Sequence, residues 1–67
     1  MLVRLNGRLE TLPDGGLLTD VLARLGVDDP RGVAVALDGE VVPRGSWATT
    51  RVREGQAVEV LRAVQGG

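Results

Sequence analysis

Cysteine, histidine and lysine are all missing from this sequence, and so are tyrosine and phenylalanine. Each absence removes a class of chemistry. Without cysteine there are no disulfides to brace a 67-residue chain, although folds this small often depend on them. Without cysteine and histidine, a zinc or haem site is left with carboxylates as its only strong ligands. The usual covalent nucleophiles are gone, as is the best general base, and no side-chain amine is present for acyl transfer or Schiff-base formation. Hydroxyls remain on Ser46, Thr11, Thr19, Thr49 and Thr50, but no neighbour of suitable pKa is available to activate them. The chain is therefore read as not an enzyme by itself.

Charge is equally restrained. Formal net charge is −1, and Trp47 is the lone aromatic residue, which argues against a nucleic-acid binder with a basic face and stacking platforms. The opening Met-Leu-Val-Arg carries neither a signal-peptide pattern nor a membrane span. The cytoplasm is the expected location, with neither nucleic acid nor membrane as partner and a monomeric state when free.

What is present follows a regular plan. Met1 to Leu5 reads as a strand, Asn6-Gly7 as a two-residue hairpin turn, and Arg8 to Leu12 as the returning strand, whose imperfect alternation leaves its buried face open. Pro13-Asp14-Gly15-Gly16 is a turn; it lacks the frame and the terminal Lys-Ser or Lys-Thr of a phosphate loop. In LLTDVLARLGV, Leu18, Val21, Leu22 and Leu25 form one apolar stripe of a helix. Asp20 falls in the first turn, where the macrodipole favours it, and Gly26 stands where a left-handed residue ends the helix, with Val27 folding back.

Asp28 to Gly32 is a polar loop, and Val33 to Leu37 an apolar run suited to the middle of a sheet. Asp38-Gly39 signals a second hairpin, returning through Glu40 to Val42 until Pro43 stops the pairing. Ser46 is expected to cap a single helical turn carrying Trp47, a lid on the edge of the core. After the Glu54-Gly55 turn, Ala57 to Val64 forms the closing strand, with Val58 and Val60 inward and Glu59 and Leu61 outward. The order is β-β-α-β-β-β, an α+β fold in which a mixed sheet of about four to five strands packs on one helix and a parallel central pair is allowed. Residues 1–64 form the domain and 65–67 a flexible tail.

This plan, ending in Gly66-Gly67, resembles the ubiquitin-like β-grasp superfamily. Within it, VAVALDGEVVPRGSW (Val33 to Trp47) is similar to the bacterial sulfur carriers of thiamine biosynthesis, the ThiS family: a V-A-V-A strand, a hairpin, then Val42-Pro43-Arg44 and Trp47. The likeness extends over the whole chain. Leu17 departs from it where the family often has a threonine helix cap, and Gln56 where aspartate is common after the turn glycine.

The resemblance implies that the Gly67 carboxylate is adenylated and converted to a thiocarboxylate, with Gly66 allowing close backbone approach. The residues agree by exclusion, since a chain without cysteine cannot hold sulfur as a persulfide. The implied partners are an adenylating enzyme using ATP and Mg, a cysteine desulfurase or other sulfur donor, and thiazole synthase; the carrier itself binds no cofactor. Leu61 and Leu2 are expected to dock on partners from the outer sheet face, with Arg62 and Arg44 as rim contacts and Gln65 in the tail. Other carrier pathways (molybdopterin or cysteine synthesis), a non-covalent interaction module and a protein modifier remain as alternatives.

Overall fold

A computed structural model describes residues 1–27 and 29–63; the end of the expected last strand at Val64 and the tail Gln65 to Gly67 lie outside the described residues, as does the expected boundary between domain and tail. Two hairpins flank the sheet. Strand β1 (Leu2–Leu5) pairs antiparallel with β2 (Arg8–Thr11), and β3 (Val33–Leu37) with β4 (Glu40–Val42). Each is closed by an Asx-Gly pair with positive φ at both residues: 49° and 84° at Asn6-Gly7, 50° and 84° at Asp38-Gly39. That left-handed pair is the type I′ signature, whose twist matches the flanking strands.

The last strand, β5 (Ala57–Arg62), lies between the hairpins, parallel to β1 and antiparallel to β3. The sheet order is β2-β1-β5-β3-β4. Both turn side chains reach over to β5. Asn6 Oδ1 accepts from the Val60 N–H at 2.8 Å, and Asp38 Oδ1 accepts from the Ala57 N–H at 2.9 Å. Gln56 locks the second junction: its amide nitrogen donates to Asp38 Oδ2 at 2.9 Å while its oxygen accepts from the Arg53 N–H at 2.7 Å. An aspartate at position 56 has no donor for Asp38, so the departure from the family pattern has a structural use. The Ala57 N–H and the Gln56 amide hold the Asp38 carboxyl below its usual range, the Ala57 backbone contributing most.

Helix α1 (Leu18–Arg24) covers one face. Leu17 occupies its N-cap and has no oxygen to offer, but the Asp20 carboxylate accepts the Leu17 N–H at 2.9 Å, half of a capping box. At the other end Val27 N–H bonds to Leu22 O and Gly26 N–H to Ala23 O, with Gly26 at φ 78°, which is a Schellman ending. Leu25 departs from the expected stripe. It is the C-cap rather than a helical residue, and it is 39% exposed.

The core between helix and sheet contains Val3, Leu5, Val35 and Val58 from the strands and Leu18, Val21 and Leu22 from the helix. Leu12, Trp47 and Val52 complete it from the connections. Trp47 is buried, and its indole N–H donates to Val42 O at 2.8 Å. It rides on a 3-10 helix over Arg44–Thr49 that begins after Pro43, so Ser46 lies inside that helix and is not its cap. The Ser46 carbonyl instead accepts from the hydroxyls of Thr49 and Thr50.

Strand β2 ends at Thr11, one residue short of the expected Leu12, and its four residues are all exposed; of the two faces the alternation left open, only Leu12, just past the strand, is buried. A helix about 10 Å wide cannot cover five strands spaced about 4.8 Å apart, and the edge strand falls beyond it.

Candidate docking face at the end of the last strand

Alternation along β5 puts Val58 under the helix, fully buried, and Leu61 on the opposite face, 74% exposed. That outer face mixes apolar residues with Arg4, Thr11 and Glu59, all exposed. Leu2 and Leu9 lie on it from β1 and β2, Ala34 and Ala36 from β3, and Val41 from β4; among these Val41 is as exposed as Leu61. Arg4 and Glu59 divide the face, so its apolar patch is the end formed by Leu61, Ala34, Ala36 and Val41, and an exposed apolar patch is a candidate interaction surface. Leu61 opposes Ala34, and Val41 opposes Ala36, so two exposed side chains stand over two small ones. A shallow depression of about 130 Å³ runs between them, bordered by Glu59.

The expected contact residues fall into two groups. Leu61 and Leu2 share the outer face but are not adjacent. With Arg4 paired to Ala57, Leu61 is four positions onward and Leu2 two positions back, a separation of roughly 20 Å at about 3.3 Å per residue. Arg62, next along β5, alternates to the helix side and lines a cleft with Asp29, Arg31 and Gly32. Asp29 is held below the usual carboxylate range first by its hydrogen bonds with Arg31, and further by the charges of Arg44 and Arg62. The Arg31–Asp29 pair itself, at 2.8 Å, is exposed and adds little stability.

Gly32 fastens this cleft. Its carbonyl accepts the Ala63 N–H, its φ is 72°, and the Ala63 side chain lies 3.6 Å from where a Cβ would project. Gly66, Gly67 and Gln65 lie outside the described residues. Among the described residues no cluster of His, Cys, Asp or Glu suits a metal ion, and no helix is long and apolar enough to cross a membrane. A second depression of about 220 Å³, between Met1, Pro13 and Arg24, lies near the start of β1, away from Ala63.

Val41 and Leu9 were not among the expected contacts. Each follows from the strand alternation once the neighbouring register is known, which the sequence of a single strand does not supply.

Comparison with known proteins settles the kinship. The ThiS family model matches residues 3–67. The chain belongs to the ThiS family. It is similar to the crystal structure of the thiamine biosynthesis protein ThiS from Geobacter metallireducens, at 35% identity and TM-score 0.85, covering 100% of both chains. The solution NMR structure of a thiamine biosynthesis protein from the same organism is similar at 35% identity and TM-score 0.84, over 100% of this chain and 88% of that one. No curated protein matches the chain. The β-grasp architecture expected from the sequence is the architecture of this ThiS-family chain.

Proposed function

We propose that this chain is the sulfur carrier for the thiazole half of thiamine, acting as a protein co-substrate in the cytoplasm. The family match through residue 67, which takes in Gly66 and Gly67, is the observation that carries this reading. The chemistry supports it. An α-carboxyl group has a pKa of roughly 3.3–3.7, so the Gly67 carboxylate is ionised at neutral pH and resists nucleophiles. Its oxygen attacks the α-phosphorus of ATP in an adenylating enzyme, pyrophosphate leaves, and an acyl-adenylate results. Sulfur delivered as a cysteine persulfide displaces AMP, and reduction by a thiol frees a terminal –COS⁻. This anionic, polarisable sulfur attacks an electrophilic carbon of the thiazole precursor in thiazole synthase.

Neither end of that sequence asks the carrier for a catalytic side chain, which suits a chain without cysteine, histidine or lysine. The carrier's tasks are to dock and to present Gly67 without a β-carbon in the way. Leu61 and the apolar face around it serve docking, Arg44 and Arg62 the rim, and Gln65 the passage of the tail into the partner. ATP and Mg belong to the adenylating enzyme.

Incubation with that enzyme, ATP and a sulfur donor is expected to raise the intact mass by the difference between sulfur and oxygen. An unchanged mass with an active partner favours a non-covalent β-grasp module instead. Thiazole formation by the loaded carrier separates this pathway from molybdopterin or cysteine synthesis, towards which Val42-Pro43-Arg44 and Trp47 give no support.

A further inference from the structure

Strand β5 outlasts its neighbour. In the β3–β5 ladder Ala57 O accepts the Asp38 N–H and Ala63 N–H bonds to Gly32 O, so odd-numbered residues of β5 turn their backbone groups toward β3. Even-numbered ones turn toward β1: Gln56 O accepts the Arg4 N–H, and Val58 O accepts the Asn6 N–H. Strand β1 stops there, because Leu5, paired with Val58, is its last residue. The Asn6 side chain extends the pairing by one bond, to the Val60 N–H. Beyond it the chain reverses at Gly7, and the space where a Cβ would point from Gly7 is open. Among the described residues the Val60 carbonyl and the Arg62 N–H and carbonyl have no hydrogen-bond partner.

We infer that this short inner edge, Val60 to Arg62, receives an extended segment of the adenylating enzyme by strand addition. An acceptor, a donor and an acceptor at strand spacing match another strand's backbone, whatever its side chains. Strand addition here fixes the direction of β5 at the root of the segment that ends in Gly67. The adenylating enzyme is the partner that needs it, because it meets the carrier before any sulfur is attached and must recognise main chain and body. Thiazole synthase has the thiocarboxylate itself to recognise. The inference rests on the proposed carrier role, and it deepens that role by locating the backbone contact.

Arg62→Pro tests it. The substitution removes the donor and blocks the edge, while the β3 ladder is spared because the Arg62 N–H points away from β3. Arg62→Ala removes the guanidinium and keeps the donor. Affinity for the adenylating enzyme is expected to fall roughly tenfold or more for Arg62→Pro beyond the loss in Arg62→Ala, with Trp47 fluorescence reporting an intact fold. Equal affinities of the two variants overturn the inference. On the unaltered chain, the Arg62 amide is expected to exchange freely alone and to be protected on addition of the adenylating enzyme. Unchanged exchange in the complex overturns it, and so does protection that grows with carrier concentration alone, which means a second copy occupies the edge. If sulfur loading of the unaltered chain succeeds while these tests fail, the carrier role stands without the strand contact. If loading itself fails, the carrier role is what falls.

Discussion

Val58 and Leu61 stand on the same strand and meet opposite surroundings: one is fully buried, the other 74% exposed. The contrast runs across the whole sheet. On the helix side Val3, Leu5, Val35 and Val58 close against Leu18, Val21 and Leu22, and Trp47 seals the margin. On the outer side Leu2, Leu9, Val41 and Leu61 remain in water, Val41 and Leu61 beside alanines, Leu9 beside Arg4 and Leu2 beside Thr11. Both faces carry large apolar side chains, yet only the inner one is covered among the described residues. The inner face accounts for folding; the outer one is the face proposed for docking.

Substitutions on each face separate their roles. The largest effect is expected at neither face. Deleting Gly67 should abolish sulfur loading, read by intact mass, while leaving the thermal midpoint unchanged; residual loading would show that Gly67 itself is not required as the acceptor. Leu18→Ala on the inner face is expected to cost about 2–5 kcal/mol, measured by denaturant unfolding, because it opens a cavity in a fully buried site. For a domain this small that is a large part of its stability. On the outer face, Leu61→Asp should reverse the pattern, with stability within about 0.5 kcal/mol of the parent and partner affinity lowered roughly tenfold or more. Unchanged affinity would remove Leu61 from the docking surface.

The smallest effect concerns pH. Asp38 is depressed by the Ala57 N–H and the Gln56 amide, so its folded-state pKa lies below the unfolded value. Its contribution is therefore present above the unfolded pKa of about 3.9 and is lost as pH falls through the folded value. Asp38→Asn keeps an acceptor for Ala57 and a residue that tolerates positive φ. Its denaturation midpoint should fall less than the parent's between neutral and strongly acidic pH. Parallel acid limbs would show that this carboxylate does not contribute to the acid sensitivity.

Local signals in the sequence carried much of this structure. The stripe Leu18, Val21, Leu22, the Gly26 ending and both Asx-Gly hairpins depend on neighbours a few residues away, and each is found where expected. What could not be read depends on distant partners. The exposure of β2 follows from the width of one helix against five strands. Val52 enters the core from a connection with no periodicity to announce it, and Leu12 from the end of a strand whose alternation was too imperfect to choose a face. The reach of Asn6 and Asp38 across to β5 joins residues 54 and 19 positions apart in the chain. At the docking face, alternation was enough to turn Leu61 outward, but only the parallel register separates Leu2 from it.

Locating the sulfur tests the central claim most directly. After loading by the adenylating enzyme, fragmentation of the intact chain should place the added mass on the acyl group of Gly67 alone. Sulfur found at any other residue, or loading that persists when Gly67 is capped as an amide, would contradict the account.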